Sequence, residues 1–192
     1  MAPKLAENSG VCASLVTYKL LVEGVDETEA VGLNTLIISN TVNKIPYAQL
    51  HLVDGDKAKE DFEISGGETF APGKEIEIKV GYNSNEETVF KGIIISQKLK
   101  AKKYRASYIE IECKDNAVAL TTTRKSKTFI DTTENEVIKT VLTDSDVTST
   151  GFEGGDDTKI ENITQFNCTD WDFLVTRAEL NCQLIIASND EL

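Results

Sequence analysis

The chain has 192 residues, of which 40% are hydrophobic and 27% charged, and it carries a formal net charge of −12. This size and composition are those of a globular protein with one large domain or two small ones. The acidity argues against binding to nucleic acid or anionic membranes, and no apolar run approaches the ~20 residues of a membrane helix.

The first part of the chain is predicted to be rich in β-strands and poor in helix. Residues 1–14 are expected to form a flexible arm that lacks the features of a signal peptide. Six short strands with turns between them follow, and this pattern is typical of a small antiparallel barrel or sandwich. The predicted strands cover residues 15–23, 33–42, 47–53, the two arms of a hairpin within 72–95, and 104–114.

The hairpin within residues 72–95 carries the clearest strand signal. Its first arm alternates Ile76, Ile78 and Val80 with charged residues, which is the period of a strand with one buried face. A Pro-Gly turn precedes this arm, and the chain reverses at 83–85. Because an isolated hairpin is marginal in water, its apolar face must pack with the flanking strands.

After residue 115 the pattern changes to a mixture of helix and strand. Thr133 and Glu136 fit a capping box that starts one helix, and residues 169–172 fit a second box. In the second helix Trp171 and three later residues recur at helical spacing, which gives one apolar face. A polar loop is expected over 144–157. Strands are expected over 159–166 and, as a closing strand, over 184–187, whereas 115–123 is ambiguous.

Acidic residues occur in patterns that raise the question of catalysis or metal binding. Asp170 and Asp172 are two residues apart and do not face each other on a helix, so their position favours capping. The Asp54 turn lacks the glycine and the final glutamate of a calcium loop. The aspartates of 144–157 are interpreted as a solvated loop. The residues that resemble the calcium loop are Asp54, Asp56, Glu60 and Asp61, and those of the acidic loop are Asp144, Asp146, Asp156 and Asp157, with Ser145.

The remaining polar signals also predict no active site. His51 is the only histidine and lies on an alternating strand, where a surface role is expected. The basic run 98–105 is interpreted as a solvated hairpin turn rather than a binding patch. We therefore predict no catalytic, cofactor-binding or metal-binding residues, and no cofactor. The four cysteines form no C-x-x-C pair, which argues against zinc and indicates a reducing compartment; they are Cys12, Cys113, Cys168 and Cys182.

Several stretches, taken in order, resemble the N-terminal hub region of VgrG proteins, the spike of the type VI secretion system. They also resemble the baseplate hub and late control protein D proteins of contractile phage tails. The resemblance covers residues 16–188, and its most specific part is the helix from Asp170 to Glu179. The stretches are Asn43-Lys44-Ile45-Pro46-Tyr47-Ala48, Leu52-Val53-Asp54-Gly55-Asp56, Phe70-Ala71-Pro72-Gly73-Lys74-Glu75-Ile76, Gly81-Tyr82, Val89-Phe90-Lys91-Gly92-Ile93, Cys113-Lys114-Asp115, Arg124-Lys125, Gln165-Phe166-Asn167-Cys168-Thr169-Asp170-Trp171-Asp172-Phe173-Leu174 and Arg177-Ala178-Glu179.

The resemblance implies a mainly β, α+β fold: an antiparallel β-barrel over 15–115 and a smaller α/β segment over 116–192. In the family a second barrel follows, so we expect this chain to be a fragment of a longer protein. Asn181 and Cys182 depart from the family, which often carries a glycine after the helix.

The resemblance also implies a structural role rather than an enzymatic one. Three copies would form a ring that stacks on a hexameric tube protein, with effector or adaptor proteins as further partners. The protein would reside in the bacterial cytoplasm before assembly and then be delivered outward, without nucleic-acid partners or membrane anchoring. The alternative is a soluble β-rich ligand-binding or glycan-binding module with Tyr104 and Tyr108 as an aromatic platform. A peptidoglycan-cleaving activity ranks below both because no residues support it.

Overall fold

The computed structural model describes residues 16–55, 64–82, 85–101, 107–145, 147 and 158–189, which form nine strands, two α-helices and one short 3-10 helix. The 3-10 helix spans Asn116–Thr121, and the α-helices are α1 (Glu134–Thr143) and α2 (Asp170–Leu180). The strands are β1 (Val16–Val22), β2 (Val25–Asp26), β3 (Gly32–Ser39), β4 (Tyr47–Val53), β5 (Glu75–Tyr82), β6 (Asn85–Lys100), β7 (Tyr108–Lys114), β8 (Arg124–Thr132) and β9 (Ile160–Thr169).

Seven of the strands form one antiparallel sheet in the order β2-β1-β5-β6-β7-β4-β3. Alternation sets the inward face of each strand: in β4, Ala48, Leu50 and Leu52 are fully buried, whereas their neighbours point outward. The predicted strands of this half are present, and Ile76 and Ile78 of the hairpin's first arm are buried as predicted. Strand β2 is not among the predicted strands, and residues 104–106 of the last predicted strand lie outside the described residues. The return arm of the central hairpin, β6, runs on to Lys100, beyond the predicted end at 95.

The inward residues of this sheet form a single hydrophobic cluster that reaches from β1 to the residues of β3. Tyr18 of β1 and Leu36 of β3, which belong to opposite ends of the sheet, both pack against it. A sheet whose two ends share one core must be strongly curled. Among the described strands no hydrogen-bonded pairing joins the two ends, so the hydrogen-bonded order remains open.

Two glycines of the central hairpin occupy places where no side chain fits. A Cβ on Gly92 would lie 2.2 Å from the carbonyl oxygen of Lys114, and one on Gly81 would lie 1.9 Å from that of Asn85. Both distances are far inside van der Waals contact. These positions therefore require glycine because the neighbouring backbone approaches closely.

The remaining elements build a second hydrophobic cluster around the two-stranded antiparallel sheet of β8 and β9. The 3-10 helix, α1 and α2 pack on one face of this sheet, with Trp171, Phe173 and Leu174 buried between them. The predicted capping box of α1 is present, since Thr133 and Glu136 bond each other's backbone N–H. At α2 only half of the predicted box forms: Thr169 accepts from the Asp172 N–H.

Two parts of this region differ from the sequence prediction. The sequence pattern does not predict β8, because most of its residues are polar and only Phe129 is buried. The closing strand at 184–187 is wrong: exposure alternates there, but no described strand lies beside it to form a ladder. The ambiguous stretch before β8 contains the 3-10 helix, whose first turn is capped by the Asp115 carboxylate.

Candidate functional site

The outward face of the large sheet carries a ladder of charged groups across β4, β7 and β6. Glu110 is only 6% exposed although it points away from the core. The Lys100 ammonium donates to its carboxylate, and the His51 Nε2 lies 3.5 Å from it. The bond from Lys100 holds the pKa of Glu110 below its ordinary value, with further help from the charges of Lys100 and His51.

Glu112, two residues along β7, is held in the same way. Ser96 Oγ donates to it at 2.7 Å, and the Lys98 ammonium lies 3.1 Å from it. The hydrogen bonds from Ser96 and Lys98 lower the pKa of Glu112. Both glutamates are thus ionised and already accept from internal donors, which suits cross-strand stabilisation better than proton transfer.

The sequence-predicted surface residues fall on or beside this ladder. His51 lies on the outward face of β4, as predicted, with its ring 5.0 Å from that of Tyr108. Tyr104, the other member of the proposed aromatic platform, lies outside the described residues. In the basic run, Lys98 and Lys100 pair with β7 rather than lying in a solvated turn, and residues 102–106 are outside the described part.

Asp54 closes the connection that follows β4. Its Oδ1 accepts from the N–H groups of Gly55 at 2.9 Å and Ile64 at 3.2 Å, and its Oδ2 accepts from Ser65 at 2.8 Å. Burial alone would raise the pKa of Asp54, but these bonds, led by Ser65, outweigh it and the pKa is lowered. The turn interpretation fits this geometry, and the other three acidic residues of the calcium-like pattern lie outside the described residues.

Asp170 is the centre of a buried polar network rather than only a capping residue. It is 3% exposed and is the first residue of α2. Gln165 Nε2 of β9 donates to its Oδ1 at 2.9 Å. Lys125 Nζ of β8 and Ser145 Oγ, which follows α1, donate to its Oδ2 at 2.6 and 2.9 Å. One carboxylate therefore joins four parts of the second core.

The electrostatics of this network keep Asp170 ionised. Burial by itself would raise its pKa, but the bonds from Lys125, Gln165 and Ser145 outweigh burial and lower it. An open cleft of ≈ 240 Å³ lies beside the network and is lined in part by Asp144. The Asp170 oxygens already accept three hydrogen bonds, so this carboxylate is committed to the fold.

The other acidic residues near α2 have separate roles. Asp172 is exposed and faces away from Asp170, as expected for residues two apart on a helix. Asp144 accepts from Lys127 at 2.7 Å on the surface; the other aspartates of the predicted acidic loop lie outside the described residues. Glu134 of α1, which is 6% exposed, pairs with Arg177 of α2 and so links the two helices.

Asn43 connects the two hydrophobic clusters. It lies between β3 and β4 with a φ of 58°, a conformation that asparagine tolerates better than most residues. Its backbone N–H donates to the Ile185 carbonyl at 2.9 Å, and its Oδ1 accepts from the Ile185 N–H at 2.9 Å. The next-but-one residue, Ile45, packs into the second cluster. The connection between β3 and β4 therefore also joins the two hydrophobic clusters.

Sequence reasoning missed Asn43 and the partners of Asp170 as structural positions. The sequence places Asn43 only in the gap between the strands predicted over 33–42 and 47–53. Of the Asp170 partners, only Gln165 has a signal in the sequence. It follows Ile163 at strand spacing, so it shares the inward face of β9 and needs a polar partner there. That argument points to a buried network but does not identify Asp170 as its centre.

A family comparison assigns the chain. A family profile described as the Alg8 N-terminal domain matches residues 12–192. The chain belongs to this family. No curated protein sequence matches this Alg8 N-terminal domain significantly.

Solved structures of secretion and tail proteins share the fold of this Alg8 N-terminal domain. The E. coli c3393 protein, described as a type VI secretion component similar to the T4 bacteriophage tail proteins gp27 and gp5, has a TM-score of 0.59 and 14% identity. The match covers 81% of this chain and 41% of that one. The 43 kDa tail protein of prophage MuSo2 from Shewanella oneidensis has a TM-score of 0.61 and 14% identity. That match covers 90% of this chain and 53% of the tail protein.

The Francisella PdpA-VgrG complex in its half-lidded form is a third structure with this fold. Its TM-score is 0.55 at 13% identity, with 86% of this chain and 28% of that chain covered. The predicted VgrG-like and tail-hub-like fold is thus confirmed, as are the mainly β, α+β class and its antiparallel sheets. The Alg8 N-terminal domain spans about half the length, or less, of these structures.

The described residues contain neither a cluster of metal ligands nor a helix suited to crossing a membrane. Across the described residues of the Alg8 N-terminal domain, no three His, Cys, Asp or Glu side chains come together as a metal site would require. Within the same residues, neither helix has the length and apolar character needed to cross a membrane.

Proposed function

We propose that the chain is a structural hub segment of a contractile injection system, of the type VI secretion or phage-tail-like kind. It acts by assembly and not by catalysis. The observation that carries the proposal is a single fold, shared over 81% of the chain with a type VI secretion component and over 90% with a phage tail protein. Such extensive sharing covers both hydrophobic clusters rather than one common motif.

The proposal includes a division into a β-barrel over 15–115 and an α/β segment over 116–192; the arm predicted over 1–14 lies outside the described residues. One hydrophobic cluster that serves both ends of the seven-stranded sheet supports closure into a barrel. Asp115 marks the boundary, since its N–H bonds the Pro46 carbonyl and its carboxylate caps the 3-10 helix. A barrel gives a ring-forming protein a rigid wall.

The hydrogen bonds of the buried carboxylates support a role in assembly rather than in catalysis. The described chain has five buried carboxylates, and each accepts a bond from an internal donor: Asp54, Glu110, Asp115, Glu134 and Asp170. A general base must instead be open toward a substrate proton. These groups stabilise the fold, and the strand edges and apolar surfaces remain for contacts with other subunits.

The proposed partners are two further copies of the chain, which form a ring, and a hexameric tube protein on which the ring stacks. A net charge of −12 would complement basic surfaces on a tube, effector or adaptor protein. The protein would assemble in the bacterial cytoplasm and leave the cell as part of the machine.

The test uses the natural full-length protein together with the tube protein from the same bacterium. Native mass spectrometry and electron microscopy of the mixture should show a trimer seated on the end of a tube. A reversed-charge variant of the tube surface serves as a control for electrostatic docking. A full-length protein that neither forms trimers nor binds its tube protein would contradict the proposed function.

A further inference from the structure

Residues 183–187, which follow α2, form an extended segment that packs on one side only. Ile185 and Ala187 pack into the second hydrophobic cluster. Leu184 and Ile186 point the other way and are 67% and 65% exposed. This alternation over successive residues is that of a β-strand. The segment is nevertheless not a strand of the described structure, because no described strand pairs with it.

The main chain of the 183–187 segment is paired along one edge and open along the other. The Ile185 N–H donates to the Asn43 Oδ1, and the Ile185 carbonyl accepts from the Asn43 N–H, both at 2.9 Å. In an extended chain the N–H and C=O of one residue point to one edge, and those of its neighbours point to the opposite edge. The main-chain groups of Leu184 and Ile186 therefore face away from Asn43, and among the described residues they have no hydrogen-bond partner. Such an edge is a template for pairing with a further strand.

A tight turn directly after the segment indicates which strand lies beside this open edge. Ser188 is in a β-bridge, so the backbone is still extended there, and Asn189 has a φ of 54°. Two-residue hairpin loops of a common kind need a positive φ at both central residues, and Asn, Asp and Gly are preferred there. Asn189 and Asp190 supply such a pair, although residues 190–192 lie outside the described part of the chain. A loop of this kind sends the following residues back antiparallel to the 183–187 segment.

The register of such a hairpin agrees with the open backbone groups. A loop at 189–190 places Ser188 opposite Glu191, and the two residues that flank a two-residue loop exchange hydrogen bonds. Hydrogen-bonded positions then recur at every second residue along the strand, which gives Ile186 and Leu184. These are the two residues whose N–H and C=O groups face the open edge. The turn and the unpaired main chain therefore point independently to the same pairing.

We propose that residues 191–192, with those that follow them in the full-length protein, form a strand that pairs with the 183–187 segment. Leu192 then lies opposite Ala187 and adds an apolar side chain to the second cluster. Side chains of the added strand partly cover Leu184 and Ile186. The hairpin completes the open edge of the second core and leads the chain out of it toward the rest of the hub. This inference rests on the proposed function, in which the chain is one segment of a hub protein.

The experiment measures amide hydrogen exchange in the natural full-length protein, with fragmentation that resolves single residues. The amides of Leu184 and Ile186 should exchange at least about tenfold more slowly than unstructured amides, because each is hydrogen-bonded to the added strand. Asn189→Val should speed their exchange about tenfold, since a β-branched residue is strained at this φ. Asn189→Gly is the matched control and should leave the rates within about twofold, because glycine adopts the same φ without strain. Thermal unfolding of each variant checks that the fold is intact.

Two outcomes would overturn the inference. One is a wild type in which Leu184 and Ile186 exchange within about tenfold of the rate of unstructured amides. The other is a pair of variants, Asn189→Val and Asn189→Gly, with the same exchange rates at both residues. Trimer formation and tube binding by the same wild-type sample separate this inference from the proposed function. A protein that assembles on its tube while these two amides exchange freely contradicts the inference alone, whereas one that fails to assemble contradicts the proposed function.

Discussion

Replacing Asp170 with asparagine tests whether one carboxylate holds the second core together. The substitution keeps the size of the side chain and removes its charge. Lys125 then loses its counter-charge, and one of the donors from Gln165 and Ser145 meets an amide N–H instead of an acceptor. The variant thus leaves buried donors without partners, which is more costly than removing both members of a pair.

The magnitude follows from the burial of the two charged partners. Breaking a fully buried ion pair costs about 3–5 kcal/mol. The Lys125 side chain is 37% exposed and can regain water, whereas that of Asp170 is 4% exposed, so we expect about 2–3 kcal/mol here. For a chain of this length that corresponds to a fall of about 5–10 °C in the melting temperature.

The assay is chemical and thermal unfolding of wild type and variant across pH. The pKa of Asp170 is lowered in the folded state, so its contribution is present above the unfolded value of about 3.9 and is lost as the pH falls through the folded value. The difference between wild type and Asp170→Asn should therefore be constant near neutral pH and shrink below about pH 4. Asp172→Asn is the matched control because it makes the same change in the same helical turn at an exposed site. Equal losses for the two variants would refute the network argument.

Three further predictions concern single positions. Gly92→Ala should destabilise the fold by at least about 2 kcal/mol, because its Cβ would lie 2.2 Å from a carbonyl oxygen of β7. Gly32→Ala is the control and should cost far less, since the nearest atom to its Cβ is 3.5 Å away. Equal losses of unfolding free energy in urea would contradict this prediction. Asn43→Ala should raise the amide hydrogen-exchange rate in segment 183–187 about fivefold, because it removes ~1 kcal/mol of hydrogen bonding. An unchanged rate would show that the bond between Asn43 and Ile185 does not hold this segment in place. A thiol reagent should modify exposed Cys182 quickly but Cys113, whose pKa burial raises to about 12, only after unfolding; early modification of Cys113 would show that the core of the seven-stranded sheet opens.

The periodic parts of the fold follow from the sequence with little ambiguity. Strand β4 matches its predicted bounds because three small or aliphatic inward residues alternate regularly with outward ones. Helix α1 follows from its capping box and apolar spacing. In both cases one short segment contains the whole signal, since burial of one face and satisfaction of the first-turn N–H groups are local requirements.

The parts that could not be predicted depend on contacts between distant segments. Strand β8 buries only Phe129, and it is stabilised by pairing with β9, which begins 28 residues after β8 ends. Asn43 gains its role only when residue 185, 142 positions later, lies beside it. The Asp170 network needs four elements in place at once. Period and propensity describe neighbours along the chain, so these long-range polar contacts leave almost no local trace.

The Asp54 carboxylate holds together the residues that flank each side of the segment between 55 and 64. It accepts from the N–H groups of Gly55, Ile64 and Ser65, so one side chain directly after β4 fixes both flanks of this segment. Closing a longer loop between fixed ends costs only about 0.6 kcal/mol for each doubling of its length. The stretch between residues 55 and 64 is therefore a natural place to graft a tag or a short binding peptide onto this protein, and we expect the register of the sheet to stay unchanged.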